Sequence, residues 1–446
     1  MDLITTSDST TIVPFSQAVT LGLAPDGGLF IPPTITPLPS SFWDAIITMD
    51  RTELCITVAE HLFGRTIEGM STAEMVAEAI TFGAPVIPMS DSIAAVELFH
   101  GPTAAFKDFG ARFLAAVTTR IAATQGRRIT ILVATSGDTG GAVAHSFWRR
   151  PGVNVVVLYP AGMVSPIQEK QFAGLGENVL ALRVSGPFDA CQSLVKKALS
   201  HSQYRESLGL TSANSINIAR LLPQVFYYFL AHQEWLRLTE RRSWSSASSP
   251  VPWVCAVPCG NFGNLTAGLY AQRLGVPISR FIAATNANDA VPRFLAGAPY
   301  RPQPSIATIS NAMDIGDPNN MPRVMSLHGN EPQLVRASLS GVSVSDDTTI
   351  ATMRDVYETT GYILDPHGAV AYHALTTELR PDEHGIFLHT AHPAKFSQVV
   401  TTAIGFEPPI PPQLAAIADQ PIAPREISPE FKALEEVLSE MLERSR

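Results

Sequence analysis

The sequence predicts an α/β fold in which open, twisted, mostly parallel sheets are flanked by helices. Two observations carry this prediction. From residue 97 onward, short apolar runs rich in β-branched residues alternate with segments of helical periodicity, as in parallel sheets covered on both faces. Glycine-rich turns follow two of these runs, where a strand passes into a helix. With 446 residues, 46% of them hydrophobic, the chain is long enough for two or three domains.

The individual elements are readable mainly in the middle of the chain. Apolar positions from Phe106 to Ile121 follow helical spacing, and Gly126 ends that helix. Strands are predicted at residues 129–135, 154–160, 178–186, 254–260 and 280–286, with helices at "AVAHSFWRR", "FDACQSLVKKALSHS" and "LTAGLYAQRLG". Serine-rich residues 239–250 predict a surface loop, and the stretches 32–39 and 408–424 predict proline-rich connectors. The last residues predict a helix with one apolar face, which would pack on the chain or at an interface.

Charge and composition exclude several classes of protein. The formal net charge is −9 and no basic patch stands out, so we expect no nucleic-acid partner. The N-terminus lacks the features of a signal peptide, and no run reaches the ~18 apolar residues of a membrane helix. The four cysteines are scattered, as is typical of free thiols in a reducing compartment. A soluble cytoplasmic protein is therefore predicted.

One lysine stands in unusual surroundings. In "ELFHGPTAAFKDFG", residues 97–110, Lys107 follows a His-Gly-Pro turn and lies between Phe106 and Phe109. The ordinary interpretation is a lysine whose stem lies on the surface while its ammonium stays in water. The alternative is a desolvated amine, whose lowered pKa would make it a nucleophile.

The two glycine-rich turns offer a second clue. "TSGDTGG" (135–141) and "PCGNFGNLTAG" (258–268) each link a predicted strand to a helix. Such turns can simply be tight connections, or their backbone N–H groups can converge on an anion. Neither contains the Gly-Lys-Ser/Thr of a Walker loop or the Gly-x-Gly-x-x-Gly dinucleotide pattern. A reactive lysine and a phosphate cradle together are what a pyridoxal phosphate enzyme needs.

Seven motifs then resemble one family in matching order. They are "ELFHGPTAAFKDFG", "ATSGDTGGAVAHSF", "SPIQEKQ", "SANSINIARLLPQVFYYF", "GNFGNLTAGL", "SNAMDIGDPNN" and "TAHPAKF", and they are similar to threonine synthases of the longer enterobacterial and fungal form. The similarity also includes "FSQAVTLGLAPDGGLFIP" near the N-terminus and fades at the tail. The resemblance implies a fold type II pyridoxal phosphate enzyme with an N-terminal extension. We expect an N-terminal segment at 1–90, an α/β domain with the lysine motif at 91–250, a cofactor-phosphate domain at 251–425 and a C-terminal helix at 426–446.

The same resemblance implies roles for individual residues. Lys107 would carry the cofactor as a Schiff base and act as acid and base. Cofactor-binding residues would be Lys107, Asp138, Gly260, Asn261, Phe262, Gly263, Asn264 and Thr390, with the Thr390 hydroxyl at the pyridine nitrogen. Substrate-binding residues would be Ser136, Thr139, Asn217 and Arg220, the last two at the substrate phosphate. No metal is expected.

The implied reaction converts O-phospho-L-homoserine and water into L-threonine and phosphate, by γ-elimination followed by β-addition. A related phospho-lyase or specialised-pathway homologue that acts on a similar γ-substituted amino acid is the alternative. An ATP-binding or non-catalytic protein is a different-class alternative, against which the missing Walker lysine argues. The assembly is expected to be a monomer or a homodimer.

Some residues depart from the family pattern or stay outside it. Asn264 stands where many relatives have aspartate, His389 stands where a small residue is common, and Met163 stands where a cation is expected. Because a leaving phosphate needs positive charge nearby, Met163 predicts weaker substrate binding.

Other polar residues have a more modest interpretation. His384, His389 and His392 lack carboxylates at metal-ligand spacing, so a metal site there is disfavoured. Asp365 is expected to cap a helix, while His367 could also touch substrate. Asp314, Asp317, Asn319 and Asn320 predict only a polar turn.

Overall fold

The computed structural model describes residues 1–238 and 252–445. Its strands are β1 (Asp2–Thr5), β2 (Val13–Pro14), β3 (Phe30–Ile31), β4 (Thr66–Ile67), β5 (Met70–Ser71), β6 (Val86–Pro88), β7 (Ile93–Glu97), β8 (Ile129–Ala134), β9 (Val153–Pro160), β10 (Val179–Val184), β11 (Leu210–Ser212), β12 (Trp253–Pro258), β13 (Ile278–Thr285), β14 (Leu339–Ser343), β15 (His384–His389) and β16 (Arg425–Ile427).

The first ten helices, up to the middle of the chain, are α1 (Phe15–Leu21), α2 (Ser40–Ala45), α3 (Arg51–Phe63), α4 (Thr72–Ala79), α5 (Lys107–Gln125), α6 (Asp138–Phe147), α7 (Pro166–Ala173), α8 (Phe188–Ser200), α9 (Ser202–Leu208) and α10 (Ile218–Leu221). The remainder are α11 (Val225–Leu238), α12 (Gly263–Leu274), α13 (Ala290–Leu295), α14 (Met321–Leu327), α15 (Pro332–Ser338), α16 (Asp346–Thr360), α17 (Pro366–Glu378), α18 (Ser397–Ile404), α19 (Pro412–Ala415) and α20 (Phe431–Ser445). Short 3₁₀ helices occupy Leu222–Gln224, Asn311–Met313 and Pro393–Phe396.

Two larger sheets carry the fold. A five-stranded sheet has the order β11-β8-β9-β10-β16, and all of its neighbouring strands are parallel. A six-stranded sheet has the order β14-β13-β12-β15-β7-β6, in which only the β6–β7 pair is antiparallel. The short strands β1–β3 form a small antiparallel sheet near the N-terminus. The predicted α/β class, with mostly parallel sheets flanked by helices, is confirmed.

The predicted central elements appear with small shifts at their ends. The helix after Phe106 is α5, and it ends as expected because Gly126 adopts the left-handed conformation that a helix C-cap favours. All six residues of β8 and of β12 are buried, which explains their uninterrupted apolar sequences. Segment 239–250, for which a surface loop is predicted, lies outside the described residues.

The C-terminal segment contributes one strand to the five-stranded sheet and one helix to the core that packs on it. β16 adds an edge strand beside β10, and α20 buries Leu434, Val437 and Leu438 in the cluster that contains Leu194 of α8. This apolar face therefore packs on the chain itself. In the six-stranded sheet, β7 pairs with β15 from the far half of the chain, and β6 is the edge strand beside β7. The domain boundaries at 90, 250 and 425 remain predictions.

Candidate active site

A cavity lies where strands of both large sheets end. Its walls follow the carboxyl ends of β8, β11, β12 and β15, which is where parallel α/β sheets place ligands. It encloses about 870 Å³, part of it open to solvent. Eleven of the twelve predicted site residues line it: Lys107, Ser136, Asp138, Thr139, Arg220, Gly260, Asn261, Phe262, Gly263, Asn264 and Thr390.

Lys107 is the first residue of α5 and lines this cavity. A backbone hydrogen bond from Phe106 N–H to Thr390 C=O (2.8 Å) and a bridge between Ala105 and Ala391 tie its segment to the end of β15. Burial lowers the pKa of Lys107 below its ordinary value, and the nearby charges of Lys395 and Arg220 act in the same direction. Of the two interpretations of this lysine, the structure supports the desolvated amine.

Asp138 is held between two lysines. Its Oδ2 lies 3.5 Å from Lys107 Nζ, and its Oδ1 lies 2.8 Å from Lys395 Nζ. Gln168 Nε2 also donates to Oδ1 at 2.8 Å. Burial alone would raise the pKa of Asp138, but the ammonium groups of Lys395 and Lys107 lower it well below its ordinary value. Asp138 is therefore a fixed carboxylate beside the reactive amine.

Lys395 is the residue that sequence reasoning missed. It lies in the quoted motif "TAHPAKF", is fully buried, and also donates to Thr103 C=O at 2.8 Å. The sequence did contain a signal for Lys395, because it lies between Ala394 and Phe396 and so, like Lys107, has apolar neighbours. Only the fold shows that both amines meet one carboxylate, since nearly 290 residues separate them in sequence.

The second glycine-rich turn leads into α12 and points its N-terminus at the cavity. A Cβ on Gly260 would lie 2.8 Å from Ala312 O, so only glycine allows the two backbones to approach so closely. Phe262 adopts a left-handed conformation with φ of 59°, and α12 begins at the next residue. The first backbone N–H groups of a helix have no partner within it, which suits an anion such as phosphate.

The hydrogen bonds of the Asn264 side chain give a reason for an asparagine where many relatives have aspartate. Its Nδ2 donates to Pro258 C=O at 2.8 Å, and its Oδ1 accepts from Leu265 N–H at 3.0 Å. The amide thus braces the turn, and its donor function is one that a carboxylate lacks.

The first glycine-rich turn also lines the cavity. Thr135 Oγ1 accepts from Gly137 N–H (2.9 Å) and Gly140 N–H (2.8 Å), which folds the turn so that Ser136 and Thr139 line the cavity. Gly137 has φ of 136°, a conformation that side chains rarely adopt. Two small hydroxyl side chains are consequently available to a ligand.

Arg220 and Asn217 have different places. Arg220 lines the cavity, donates to Ala213 C=O, and has a pKa lowered to about 10 by burial. Asn217 does not line the cavity. Its Nδ2 donates to Val19 C=O (2.9 Å) and Ser212 C=O (3.1 Å), and its Oδ1 accepts from Ala219 N–H as the cap of α10. The contact between Asn217 and the substrate phosphate stays a prediction; in the structure, Asn217 caps the helix that carries Arg220.

The structure also shows where the remaining candidate residues lie. Asp365 caps α17 as expected, accepting from Gly368 N–H at 2.8 Å. His367 lines the cavity. The Met163 side chain is 46% exposed and lies outside the cavity lining, so its expected effect on substrate charge rests on the sequence alone. Within the described ranges, no group of three or more histidine, cysteine or acidic side chains is arranged to hold a metal ion, and no helix is long and apolar enough to cross a bilayer.

The cavity fits a cofactor that joins an aldehyde to a phosphate. Its lining supplies a buried amine with a lowered pKa and a helix N-terminus reached through a turn that admits no side chain at Gly260. Thr390 also belongs to the lining and carries a hydroxyl. This combination of fold and site defines a fold type II pyridoxal phosphate enzyme.

Comparison with known proteins agrees with this class and narrows it. Residues 91–391 match the family described as "Pyridoxal-phosphate dependent enzyme", residues 3–80 match "Threonine synthase N terminus", and residues 368–438 match "Threonine synthase, C-terminal". Threonine synthase of Escherichia coli K12 is 44% identical over 98% of this chain and 99% of its own length. The crystal structure of the Escherichia coli enzyme superposes with a TM-score of 0.90, covering 99% of this chain and all of the other. A pyridoxal-phosphate-bound threonine synthase from Brucella melitensis superposes with a TM-score of 0.88 at 32% identity, covering 99% of both chains.

The chain belongs to the threonine synthase family. It is a pyridoxal-phosphate-dependent enzyme that acts on a small molecule.

Proposed function

We propose that the protein converts O-phospho-L-homoserine and water into L-threonine and phosphate. The observation that carries this proposal is the placement of Lys107, Arg220 and the N-terminus of α12 on one cavity. One site is thereby offered to the cofactor phosphate and another to the substrate phosphate. The family relationship supports the same reaction.

In this proposal, the residues around the amine hold the cofactor. Lys107 would attach it covalently, the backbone of residues 260–264 would bind its phosphate, and Thr390 would donate to its ring nitrogen. When bound, the cofactor supplies an electron sink for the bonds made and broken at the substrate carbons. Asp138 would lie beside its ring, with Lys395 and Gln168 fixing the carboxylate.

Arg220 would receive the phosphate that leaves the γ carbon. It is buried, and no carboxylate lies within ion-pair distance of it in the described part of the chain. A guanidinium can pair with two phosphate oxygens at once. Ser136 and Thr139, which also line the cavity, would bind the substrate carboxylate.

We also propose that the protein works in the cytoplasm as a monomer or homodimer. All four cysteines are buried free thiols, as is typical of a reducing compartment. The net charge of −9 argues against a nucleic-acid partner.

The attachment residue is tested by chemical reduction. We expect the purified protein to be yellow, and borohydride to bleach the colour while it links the cofactor irreversibly to the peptide that contains Lys107, as mass spectrometry would show. Lys395→Met is the matched control, because it removes the other buried amine at Asp138 and leaves the attachment point in place. Reduction products on Lys395, or full turnover by Lys107→Ala, would contradict the proposed role.

A further inference from the structure

Two of the six lysines in this chain meet the same buried carboxylate. Lys107 and Lys395 approach Asp138 from segments that are far apart in sequence, and one negative charge balances only one of the two ammonium groups. The proposed function gives Lys395 no task beyond fixing Asp138, and the neutral side chain of Gln168 already donates to the same carboxylate oxygen. The positive charge of Lys395 therefore needs an explanation of its own.

The two oxygens of Asp138 have unequal partners. Oδ1 lies 2.8 Å from Lys395 Nζ and accepts from Gln168 Nε2 at 2.8 Å. Among the described residues, Oδ2 has one side-chain partner, Lys107 Nζ, at 3.5 Å. Charge-assisted hydrogen bonds are typically about 2.7–2.9 Å long. Lys395 therefore makes the close ion pair with Asp138, and Lys107 makes a loose contact.

Lys395 also has the surroundings of a permanently charged group. Its side chain is fully buried and does not line the cavity, and its Nζ donates a second hydrogen bond to Thr103 C=O at 2.8 Å. The same carbonyl accepts from Gln171 Nε2 at 2.9 Å. Lys107, by contrast, lines the cavity with 14% of its side chain exposed. The closed position thus holds an ammonium group between two oxygens, and the open position presents its amine to a ligand.

Hydrogen bonding alone does not explain a cation at the position of Lys395. Burying an ammonium group is costly, and only a close, well hydrogen-bonded counter-ion offsets that cost. A neutral donor of similar length would avoid the cost and could still hold Thr103 C=O and Asp138. It would not change the charge balance at Lys107. The effect for which Lys395 must be a cation is therefore electrostatic.

The charges at the cavity balance when Lys107 is neutral. Asp138 and Lys395 together carry no net charge, so a proton on Lys107 adds an unbalanced positive charge to a cavity that Arg220 also lines. Burial has the largest effect in lowering the pKa of Lys107, the Asp138 carboxylate acts against it, and Lys395 and Arg220 act with it. By pairing with Asp138, Lys395 weakens the attraction that would keep Lys107 charged.

The other carboxylates around Lys107 already serve other donors. In α5, the two oxygens of Asp108 accept from Thr103, one from Oγ1 at 2.6 Å and one from N–H at 2.8 Å. From α17, His367 lines the cavity, and Asp365 Oδ2 lies 2.5 Å from its Nδ1. Asp365 therefore balances positive charge on the His367 ring, and it does not pair with Lys107.

We propose that Lys395 is a positioning residue whose ammonium group is the standing counter-ion of Asp138, so that Lys107 is left as the neutral amine that meets the cofactor and the substrate protons. Lys395 acts through Asp138 and touches no ligand itself. Arg220, another cation at the cavity, makes no ion pair with Asp138 and does not fill this role. The inference rests on the attachment role proposed for Lys107.

Two substitutions separate the charge of Lys395 from its shape. Lys395→Gln keeps a hydrogen-bond donor and removes the charge, so Lys107 becomes the counter-ion of Asp138 and should hold its proton to higher pH. The rate of cofactor attachment to cofactor-free protein is followed across pH by visible absorbance. In Lys395→Gln its midpoint should rise by roughly one pH unit, a shift of the size that a nearby opposite charge imposes. Lys395→Arg keeps the charge, and its midpoint should lie closer to that of the wild type.

The order of the two variants distinguishes an electrostatic role from a structural one. Arginine is larger than lysine and fits a fully buried site worse than glutamine does, so a merely structural role predicts the greater change in Lys395→Arg. Lys170→Met is the matched control, because Lys170 also donates to a backbone carbonyl, that of Ala418, and does not line the cavity. Its midpoint should equal that of the wild type.

A second readout uses the wild type and does not depend on the variants at Lys395 folding. In cofactor-free protein labelled with ¹⁵N at the lysine side chains, the six Nζ resonances are followed across pH. Substituting the other five lysines one at a time assigns their resonances, and that of Lys395 follows by elimination. The Lys107 resonance should reach the amine position at a pH where the Lys395 resonance still has the ammonium position.

Three results would overturn the role of Lys395. They are a midpoint in Lys395→Gln that stays in place or falls, a larger change in Lys395→Arg than in Lys395→Gln, and a Lys395 resonance that loses its proton before that of Lys107. Failure of the wild type to release phosphate from O-phosphohomoserine would instead contradict the proposed function. It would leave the attachment midpoints and the order of the two lysine titrations unaffected, so the two failures are distinguishable.

Discussion

At the residue scale, the protonation of Lys107 controls access to the chemistry. Its amine must be neutral to attack the cofactor aldehyde. Burial favours the neutral form, and the Asp138 carboxylate at 3.5 Å favours the charged form. The two effects oppose each other, so the balance depends on Asp138.

Replacing Asp138 by asparagine removes the effect that favours the charged amine. The pKa of Lys107 should then fall further, and the rate of cofactor attachment to cofactor-free protein should reach its plateau at a lower pH than in the wild type. The rise of visible absorbance after mixing, followed across pH, measures this. Asp317→Asn, a carboxylate outside the cavity lining, serves as the control. A midpoint that stays in place or moves to higher pH would contradict the account.

At the element scale, the turn at residues 260–264 has two functions that can be tested separately, one in the stability of the fold and one in cofactor binding. A methyl on Gly260 would meet backbone atoms at 2.8 and 3.0 Å, so Gly260→Ala should lower the melting temperature. A methyl on Gly263 would lie 3.3 Å from its nearest neighbour, Ser215 Cβ. Both residues line the cavity.

Gly263→Ala should therefore weaken cofactor retention without weakening the fold. Alanine is favoured over glycine in a helix by up to about 1 kcal/mol, and Gly263 is the first residue of α12. We expect roughly tenfold weaker retention, equivalent to about 1.4 kcal/mol, with an unchanged or raised melting temperature. Dialysis against cofactor-free buffer and thermal melting measure the two quantities. Parallel losses of both would indicate a purely structural turn.

The elements also show what the sequence could and could not predict. Strands β8 and β12 and helices α5 and α12 follow from apolar runs and glycine positions, because local periodicity determines them. β16 was not predicted, since three residues after a proline-rich stretch become a strand only by pairing with β10. The helix cap that Asn217 forms was not predicted, because a motif shows which residues are adjacent and not where their side chains point. Lys395 was missed because only the fold brings the segment after β15 beside Asp138 at the start of α6.

At the scale of the whole molecule, the C-terminal helix completes the core that it shares with α8 and the five-stranded sheet. Leu438 is fully buried in the cluster between the five-stranded sheet, α8 and α20. Leu438→Ala should lower the free energy of unfolding by about 2–5 kcal/mol, through lost burial and the cavity left behind. Leu334→Ala, at a side chain that is 54% exposed, should change it by less than about 0.5 kcal/mol. Denaturant unfolding of the two variants measures the difference, and equal effects would contradict the packing of α20 described here.

The fold also brings the two large sheets together around one cavity, and the proposed reaction needs residues from both sheets. In the proposed reaction, the cavity both expels phosphate from O-phosphohomoserine and adds water to the product. The most direct measurement is the ratio of L-threonine to phosphate formed by the purified protein with bound cofactor. The account predicts equal amounts of the two. Phosphate released without threonine would identify a phospho-lyase that omits the water addition, and no phosphate at all would contradict the assignment of substrate.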